Sequence, residues 1–346
     1  MVEKDFISDY VAEYVLSLQN RSLNMVNLKG KISKPELMPS SLSEYIGQNK
    51  NKEIINDAIV SCQKQNRSLP HMLMSGFSGF GKTTISYLIA DKIKRPIVAV
   101  TGVSLNKPID VFNVLKSIEK EKFPIIFIDE ISSIKKSIAE MFYQPMEIPN
   151  TVIQMPSIGA IKLITKVPEL TIIGATAGEE GKLQKPFFDR FDIKLLFDYY
   201  SLNEIVEISK LSCKKLELNI NDSLLKEIAR RSCMTPRILN SILRRLRDFT
   251  ISRNIKKITE KELISLFKLL DIDEYGIDKI GRNMLFAIAS NPRQTLGIRA
   301  ISSMLGIDES TLKRVEQQLL LNGMIMFLSS GRSITEKGLE HIKNYL

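Results

Sequence analysis

The chain has 346 residues, of which 44% are hydrophobic and 25% charged, and its formal net charge is +10. This length exceeds the size at which a single core usually stops growing, so we expect two or three domains. The composition excludes a largely disordered protein, and no apolar run approaches the roughly 18 residues that a membrane span needs. The first residues, Glu3, Lys4 and Asp5, lack the apolar region of a secretory signal. We therefore expect a cytoplasmic protein.

The basic excess is uneven, because 24 Lys and Arg stand against 17 Asp and Glu from residue 201 onward. This surplus favours a polyanionic partner such as nucleic acid, although a solvated basic helix face explains it equally well. Cys62, Cys213 and Cys233 have no metal-type spacing and are interpreted as buried small hydrophobic residues. His71 and His341 lie far apart without a paired carboxylate pattern, so any catalysis is expected to depend on carboxylates, Lys, Arg and Mg²⁺.

The N-terminal half is predicted to contain an arm and an α/β domain. Apolar residues recur at helical spacing within residues 1–36, which indicates a helical arm. Short apolar strand candidates at 71–74, 97–101, 125–128 and 170–175 then alternate with helical stretches over residues 37–200. This alternation predicts a parallel sheet covered by helices. Residues 147–167 suggest a β-hairpin with an apolar tip, which is either a contact site or an excursion that covers the sheet.

A glycine-rich loop follows the first strand candidate and contains Gly76, Gly79, Gly81, Lys82 and the pair Thr83-Thr84. It matches the pattern GxxxxGKT, in which glycines aim backbone N–H groups at phosphates and the lysine reaches the β- and γ-phosphates. The Thr83 hydroxyl can ligate Mg²⁺, and the helix that begins there adds the positive end of its dipole. The loop therefore predicts a nucleotide site, against the alternative of a flexible glycine loop.

Two carboxylates end a buried strand candidate about 45 residues later, at Asp129 and Glu130. Behind a phosphate loop this is the Walker B arrangement, in which Asp129 holds Mg²⁺ and Glu130 activates the water that attacks the γ-phosphate. Thr176 ends the next strand candidate and could sense the γ-phosphate. Arg190 stands where a neighbouring subunit could receive it, and Arg237 begins a helix; ordinary surface ion pairs would explain either arginine equally well.

The C-terminal part is predicted to contain two further domains. Residues 201–274 have helical periodicity throughout, which predicts a small all-α domain. Residues 275–346 contain three helical stretches and then two short strands around the turn 329–332. Helices followed by a two-stranded wing describe a winged helix, which is a DNA-binding variant of the helix-turn-helix.

The order of these motifs resembles the RuvB family, the AAA+ motors that drive Holliday-junction branch migration. The resemblance runs from about residue 37 to the C-terminus and rests on these segments: Leu42-Ser-Glu-Tyr-Ile-Gly-Gln48, the GKTT loop, Phe127-Ile-Asp-Glu-Ile131, Phe142-Tyr-Gln-Pro-Met-Glu147, Ile173-Gly-Ala-Thr176, Asp189-Arg-Phe191, residues 230–240 and residues 243–249. It implies an α/β AAA+ P-loop domain, followed by an all-α lid domain and a C-terminal winged-helix domain.

The resemblance also implies a function, partners and site residues. It implies an ATP- and Mg²⁺-dependent homo-hexamer that translocates duplex DNA, with a RuvA-like junction-binding protein contacting the 147–167 hairpin. By position it assigns Thr176 to sensor 1, Arg190 to the arginine finger that acts in trans, and Arg237 to sensor 2. It places Tyr45, Ile46 and Tyr200 in the neighbourhood of the nucleotide.

The chain departs from the family pattern in the nucleotide domain. The loop reads Gly-Phe-Ser-Gly-Phe where the family has GPPGL, Ser132-Ser133 replaces His-Arg, Ala177-Gly178 replaces Thr-Arg, and Phe188 replaces the first arginine of PLRDRF. The acids of the Walker B segment and both expected arginines remain, so ATPase chemistry is expected.

The wing departs further, because the family's RTPRGR becomes Phe327-Leu-Ser-Ser-Gly-Arg332. Arg332 is then the one arginine of three that remains there for phosphate contact. Losing two phosphate contacts would lower DNA affinity and flatten its salt dependence by about two units of slope. Arg293 and Arg299, nearby in sequence, are candidates to compensate.

Two functions of different classes agree with these residues. The first is an ATP-dependent DNA motor of RuvB type, acting in recombination and repair. The second is a nucleotide-gated DNA-binding or scaffold protein that does not migrate junctions. A clamp-loader-like machine shares the nucleotide motifs, but the C-terminal winged helix counts against it. Fold alone does not decide among these functions.

Overall fold

The structure is a computed structural model that describes residues 35–154 and 164–345. Most of the predicted arm (1–36) and the tip of the predicted hairpin therefore lie outside the described residues. The chain divides into two compact units. The first contains the described residues up to Phe77 and the range Gly81–Asp198, and the second contains Ser78–Phe80 together with the residues from Tyr199 onward.

A five-stranded parallel sheet lies at the centre of the first unit, with its strands in the order β2-β3-β6-β1-β7. The strands are β1 (Met72–Ser75), β2 (Ile97–Thr101), β3 (Ile125–Asp129), β6 (Thr171–Thr176) and β7 (Ile193–Leu196). The three central strands read as nearly continuous apolar runs and are buried along their length, as expected for a parallel sheet covered on both faces. The predicted α/β class and parallel sheet are confirmed.

Five helices accompany this sheet: α1 (Asn49–Gln65), α2 (Lys82–Ile93), α3 (Pro108–Ser117), α4 (Lys136–Glu147) and α5 (Lys185–Asp189). Short 3₁₀ turns lie at Gly102–Ser104, Ile131–Ser133 and Glu180–Lys182. After α4 the chain forms a separate antiparallel pair, β4 (Thr151–Gln154) with β5 (Ile164–Val167). The core between sheet and helices is apolar and includes Leu73, Ile126, Ile128, Phe142 and Phe187.

The parallel register brings the carboxyl ends of several strands to one edge of the sheet. Ser75 at the end of β1 lies opposite Thr176 at the end of β6, and Thr101 at the end of β2 lies opposite Asp129 at the end of β3. In open α/β sheets this edge is where ligands bind. The glycine loop, the Walker B acids and Thr176 therefore all begin at the same edge.

Strand β7 was not among the sequence-based predictions. It has four residues, and it includes Lys194 and the exposed Leu196, so it has no continuous apolar run. It pairs with β1 alone and forms an edge of the sheet, where one side of the strand needs no partner. Its short length and mixed composition explain why periodicity did not reveal it.

The second unit begins with four helices: α6 (Leu202–Lys215), α7 (Asp222–Arg231), α8 (Pro236–Ser252) and α9 (Glu260–Leu269). The side chains of Ser201 and Asn221 accept hydrogen bonds from N–H groups in the first turns of α6 and α7, which is how N-caps satisfy those donors. Helix α6 packs against both α7 and α8. The predicted all-α lid is confirmed.

Four more helices and a three-stranded sheet complete this unit. The helices are α10 (Lys279–Ala289), α11 (Ile298–Leu305), α12 (Glu309–Leu321) and α13 (Glu336–Lys343). The antiparallel sheet has the order β8-β10-β9, with β8 (Thr295–Leu296), β9 (Ile325–Leu328) and β10 (Gly331–Ile334). The predicted winged helix is confirmed, with one additional strand, β8, that is too short at two residues to give a sequence signal.

The segment between α9 and α10 is held by buried polar contacts. Asp273 is buried, and its carboxylate lies 3.0 Å from His341 Nε2 and 3.5 Å from Arg282 Nη1. His341 therefore does have a carboxylate partner, which its sequence neighbourhood did not indicate because Asp273 lies far away along the chain. The Nδ2 group of Asn322 donates to the carbonyl of Tyr275, 3.1 Å away.

The cysteines behave as expected, because all three are buried as free thiols. Burial raises the pKa of Cys213 to about 12 and that of Cys233 to about 11, so both thiols are protonated and unreactive near neutral pH. Across residues 35–154 and 164–345, none of the helices combines the length and apolar character that crossing a membrane requires.

Candidate functional site

The glycine loop has a backbone that only glycine adopts easily. Gly76, Gly79 and Gly81 have φ angles of 136°, 86° and 90°. A Cβ atom at Gly76 would lie 2.5 Å from the carbonyl oxygen of Phe197, and one at Gly81 would collide with the hydroxyl of Tyr45. The loop therefore passes against its neighbours with no room for side chains, as a phosphate cradle requires.

Lys82 begins α2 and places a buried positive charge inside this loop. Its Nζ atom donates to the carbonyl oxygens of Gly76, at 2.6 Å, and Phe77, at 2.9 Å. The residue is 7% exposed, so the ammonium group is largely removed from water. The N-terminus of α2, the glycine backbone and Lys82 together form an anion-binding arrangement that fits a nucleotide phosphate.

Thr83 and Asp129 lie together beside the loop. The Thr83 hydroxyl donates to Asp129 Oδ2 across 3.3 Å, and Asp129 Oδ1 accepts from the backbone N–H of Glu130 at 3.0 Å. These oxygen donors are of the type that Mg²⁺ prefers. Among the described residues, no cluster of three or more His, Cys, Asp or Glu could hold a metal. A Mg²⁺ ion at Thr83 and Asp129 would therefore need phosphate oxygens or water as further ligands.

Glu130 has a strained backbone at the end of β3. Its φ angle is 50°, in the left-handed region that non-glycine residues seldom adopt. Its carbonyl oxygen accepts from the Ser133 hydroxyl at 2.7 Å, and a Cβ atom at Gly102 would collide with that oxygen. The close approach of Gly102 and the Ser133 hydrogen bond both constrain this conformation, and such strain is concentrated at functional sites.

Thr176 is 1% exposed and belongs to a small hydroxyl–carboxylate network. Its hydroxyl donates to Ser132 Oγ at 3.3 Å and accepts from the backbone N–H of Glu179 at 3.3 Å. The Ser132 hydroxyl in turn donates to Glu179 Oε2 at 3.4 Å. Ser132 is one of the departures from the family pattern, and Glu179 was not predicted as a site residue. The structure thus links the turn after Glu130 to the end of β6.

Arg190 lies at the end of α5 and is bound within its own subunit. Its Nη2 atom lies 2.7 Å from Glu147 Oε1, and its Nη1 atom donates to the carbonyl of Pro186 at 2.6 Å. Its guanidinium carbon lies 4.1 Å from the centre of the Tyr143 ring. An ordinary ion pair was one of the two explanations of this arginine that the sequence left open, and it agrees with these contacts. None of its hydrogen bonds within the described residues involves the glycine loop or the Walker B acids.

Tyr45 and Ile46 precede α1 in the first unit. Tyr45 is buried, and its hydroxyl lies close to Gly81, while Ile46 is partly exposed. The Lys52 ammonium donates to the carbonyl of Tyr45 at 2.8 Å and holds this segment to α1. Of these two predicted neighbours of the nucleotide, Tyr45 contacts the glycine loop.

In the second unit, two predicted residues bond the middle of the glycine loop. Arg237 Nη1 donates to the Ser78 hydroxyl at 2.7 Å, and the Tyr200 hydroxyl donates to the carbonyl of Phe80 at 3.1 Å. A Cβ atom at Gly79 would lie 2.9 Å from the Cβ of Arg237, so this contact also requires glycine. The replacement of GPPGL by Gly-Phe-Ser-Gly-Phe therefore provides a hydroxyl partner for Arg237.

The three arginines predicted to contact DNA differ in their surroundings. Arg332 pairs with the buried Glu316, with Nε 2.5 Å from Oε2 and Nη2 3.3 Å from Oε1. Arg299 is exposed and lies 3.7 Å from Glu309, and Arg293 is also exposed. Arg293 and Arg299 are accessible to a polyanion, whereas Arg332 is used within the fold.

The neighbouring wing strand is apolar and solvent-exposed. Met326, Phe327 and Leu328 in β9 are each about half exposed. The guanidinium carbon of Arg332 lies 5.1 Å from the centre of the Phe327 ring. The wing therefore presents an apolar strand where the family pattern has arginines.

Comparison with known proteins gives three consecutive family matches. The models described as the Holliday junction DNA helicase RuvB P-loop domain, the RuvB AAA lid domain and the RuvB C-terminal winged helix domain match residues 37–197, 200–273 and 274–343. Similar curated proteins are the Holliday junction branch migration complex subunits RuvB of Fusobacterium nucleatum and Thermotoga maritima. They are 34% and 32% identical over 312 residues, which cover 89% of this chain and 92% of each relative.

A solved structure is similar over the same length. It is the Thermotoga maritima RuvB Holliday junction branch migration motor, which has a TM-score of 0.78 and 30% identity, and covers 89% of this chain and 99% of that chain.

Proposed function

We propose that this chain, which belongs to the RuvB family, is an ATP hydrolase that moves duplex DNA and drives branch migration of Holliday junctions in recombination and repair. One observation carries the proposal. The glycine loop with Lys82, the Thr83–Asp129 pair and Glu130 meet at one edge of the sheet. That combination has what phosphoryl transfer needs, namely a phosphate cradle, a metal position and a base.

The chemistry is assigned to these side chains. Lys82 and the loop N–H groups bind and orient the phosphates, and Thr83 and Asp129 hold Mg²⁺, which when bound neutralises phosphate charge. Glu130 accepts the proton of the attacking water and fixes its direction of approach. Thr176 senses the γ-phosphate from the end of β6.

Arginines complete the site in this proposal. Arg190 is supplied by the neighbouring subunit and stabilises the charge that spreads over the γ-phosphoryl group. Arg237, which we assign to sensor 2, bonds the Ser78 hydroxyl, and Tyr200 bonds the carbonyl of Phe80. Tyr45 and Ile46 complete the neighbourhood of the nucleotide. Because this arginine comes from the neighbouring subunit, ATP hydrolysis depends on the assembly of several subunits, which we propose form a homo-hexamer.

The partners follow from the same family membership. The winged helix contacts duplex DNA, with Arg293 and Arg299 as accessible cations. The segment 147–167 contacts a RuvA-like junction-binding protein, and the complex acts in the cytoplasm. The domain ranges that we propose are 37–200, 201–274 and 275–346, after an arm at 1–36.

A junction-migration assay tests the function. Purified protein, a RuvA protein, ATP and Mg²⁺ are mixed with a labelled four-way junction, and the separated duplex products are measured. We expect migration by the wild type and by a Glu140→Gln control, which changes an exposed carboxylate of α4. Glu130→Gln should bind ATP and release no products. ATP binding without junction movement by the wild type would instead support the nucleotide-gated scaffold.

A further inference from the structure

The last turn of α4 encloses the guanidinium of Arg190. Tyr143 and Glu147 are four residues apart and therefore lie on the same face of the helix. The Tyr143 ring lies against the guanidinium, with 4.1 Å between the ring centre and the guanidinium carbon, and Glu147 pairs with Nη2 at 2.7 Å. The carbonyl of Pro186 accepts from Nη1 at 2.6 Å. One ring, one carboxylate and one carbonyl thus bind the group within its own subunit.

These contacts leave Arg190 little capacity for a second anion. Its side chain is 21% exposed, and its Nε atom is buried without a hydrogen-bond partner in the described residues. The Glu147 carboxylate also neutralises the positive charge. An arginine that stabilises a transition state must direct that charge at the phosphoryl oxygens. In this arrangement Glu147 and the γ-phosphate of a neighbouring subunit compete for the same guanidinium.

The ion pair can exchange, whereas the helix turn that carries it is fixed. Glu147 is 57% exposed, and ion pairs with an exposed partner are weak and readily replaced. The turn itself is anchored by the Nε2–H of His71, which donates to the carbonyl of Met146 at 3.0 Å. It is also held by Gln144, which donates to the Thr151 hydroxyl at 2.6 Å. The release of Arg190 from Glu147 therefore needs movement of side chains and no change in the backbone of this turn.

We propose that Glu147 is a positioning residue that holds Arg190 against its own subunit until a neighbour presents a nucleoside triphosphate. The γ-phosphate carries more negative charge than the carboxylate and replaces it at the guanidinium, whereas a diphosphate has no phosphate at that position. Tyr143 supports the held position through its ring. The inference rests on the proposed role of Arg190 as the finger that acts in trans.

The test compares steady-state ATP hydrolysis by matched variants of the full chain in the presence of duplex DNA. Glu147→Gln removes the competing charge and keeps the size of the side chain. We expect kcat to rise by about two- to five-fold with KM for ATP unchanged, because an exposed ion pair contributes little more than this. Glu140→Gln, which changes an exposed carboxylate two helix turns earlier, should match the wild type.

A kcat for Glu147→Gln that equals or falls below that of Glu140→Gln overturns the proposal. Arg190→Ala separates this result from a failure of the proposed function. If Arg190→Ala abolishes hydrolysis and Glu147→Gln does not raise it, only the holding role is wrong. If Arg190→Ala hydrolyses ATP like the wild type, the finger assignment itself is wrong.

Tyr143 gives a second, matched comparison. Tyr143→Phe keeps the ring beside Arg190 and should behave as the wild type, whereas Tyr143→Leu removes the ring and should raise kcat in the same direction as Glu147→Gln. Tyr143 also packs near Phe187, with 6.0 Å between ring centres, so circular dichroism must first show that the leucine variant folds. A folded Tyr143→Leu protein with wild-type kcat contradicts the part assigned to the ring.

Discussion

Arg332 in the wing and Glu316 in α12 form a two-point ion pair, with the shorter N–O distance at 2.5 Å. Glu316 is 6% exposed, so its carboxylate depends on Arg332 for compensation of its charge. The arginine that the sequence offered for phosphate contact is therefore part of the winged-helix fold.

Arg332→Gln is predicted to destabilise the winged helix. The change leaves a buried carboxylate without its cation, and the expected loss is about 2 kcal/mol, less than for a fully buried pair because Arg332 is partly exposed. Thermal unfolding measures the loss. The double variant Glu316→Gln/Arg332→Gln should recover part of it, since no unpaired charge remains. Equal stability of wild type and Arg332→Gln would contradict the pairing.

Arg293 and Arg299 are predicted to account for DNA affinity that Arg332 does not provide. Replacing either by Gln should lower the slope of log affinity against log salt by about one unit, because each phosphate contact releases about one counterion. Fluorescence anisotropy with a labelled duplex, measured across salt concentrations, checks this. Folded Arg332→Gln protein serves as the control and should keep the wild-type slope.

Gly81→Ala is predicted to impair nucleotide binding by at least about tenfold, because a methyl group there both strains the backbone and collides with Tyr45. The measurement is the affinity for a fluorescent ATP analogue. Gly178→Ala is the matched control, since Gly178 has a φ angle of 81° and no atom within 4 Å of the added Cβ. If both variants bind the analogue equally well, the contact with Tyr45 has no role in the loop.

Stability is predicted to fall in mildly acidic solution because of His71. Burial lowers the pKa of His71, and its Nδ1 atom accepts from the N–H of Ile172 at 2.9 Å, so the folded state holds a neutral ring. The unfolded chain takes up this proton at a pH of about 6.5. The contribution of His71 to the free energy of unfolding is therefore fully present above that pH. It is lost as the pH falls towards the lower pKa that His71 has in the folded state.

Urea unfolding between pH 5 and 7.5 checks the effect. His71→Gln should show a smaller decrease in stability over that range than the wild type, although its stability at pH 7.5 will be lower. Identical pH profiles for the two proteins would show that His71 does not titrate on unfolding.

Met234→Gly is predicted to stabilise the second unit. Met234 has a φ angle of 53° just before α8, and relieving the left-handed conformation of a side-chain residue gains about 1 kcal/mol. Asn254→Gly is the control, because Asn254 has a φ angle of 52° but asparagine tolerates this region. The midpoint temperature of thermal unfolding should rise for Met234→Gly, and this rise should exceed the change for Asn254→Gly.

Features set by local sequence could be predicted. The spacing from Gly76 to Thr83 and the acids that end β3 indicate a nucleotide site, because the chemistry depends on neighbours along the chain. The parallel sheet and the wing follow from alternating apolar segments and a turn. For the loop, the acids, the central strands of the sheet and the wing, the residues that form each feature are close together along the chain, so the sequence pattern is enough to identify it.

Partners of charged side chains could not be predicted in the same way. Arg190 meets Glu147, and Arg332 meets Glu316, only once separate helices and strands have packed together. Each arginine has a type and spacing that suits either phosphate or carboxylate. Sequence reasoning therefore located the arginines but not the groups that bind them.

The contacts between α9 and α10 affect how force is transmitted. Asp273 binds His341 and Arg282, while Gly276 passes so close to the carbonyl of Arg231 that a side chain would not fit. A segment held in this way cannot stretch like a flexible tether. A displacement of the lid helices would therefore be passed on to the winged helix rather than absorbed by this segment.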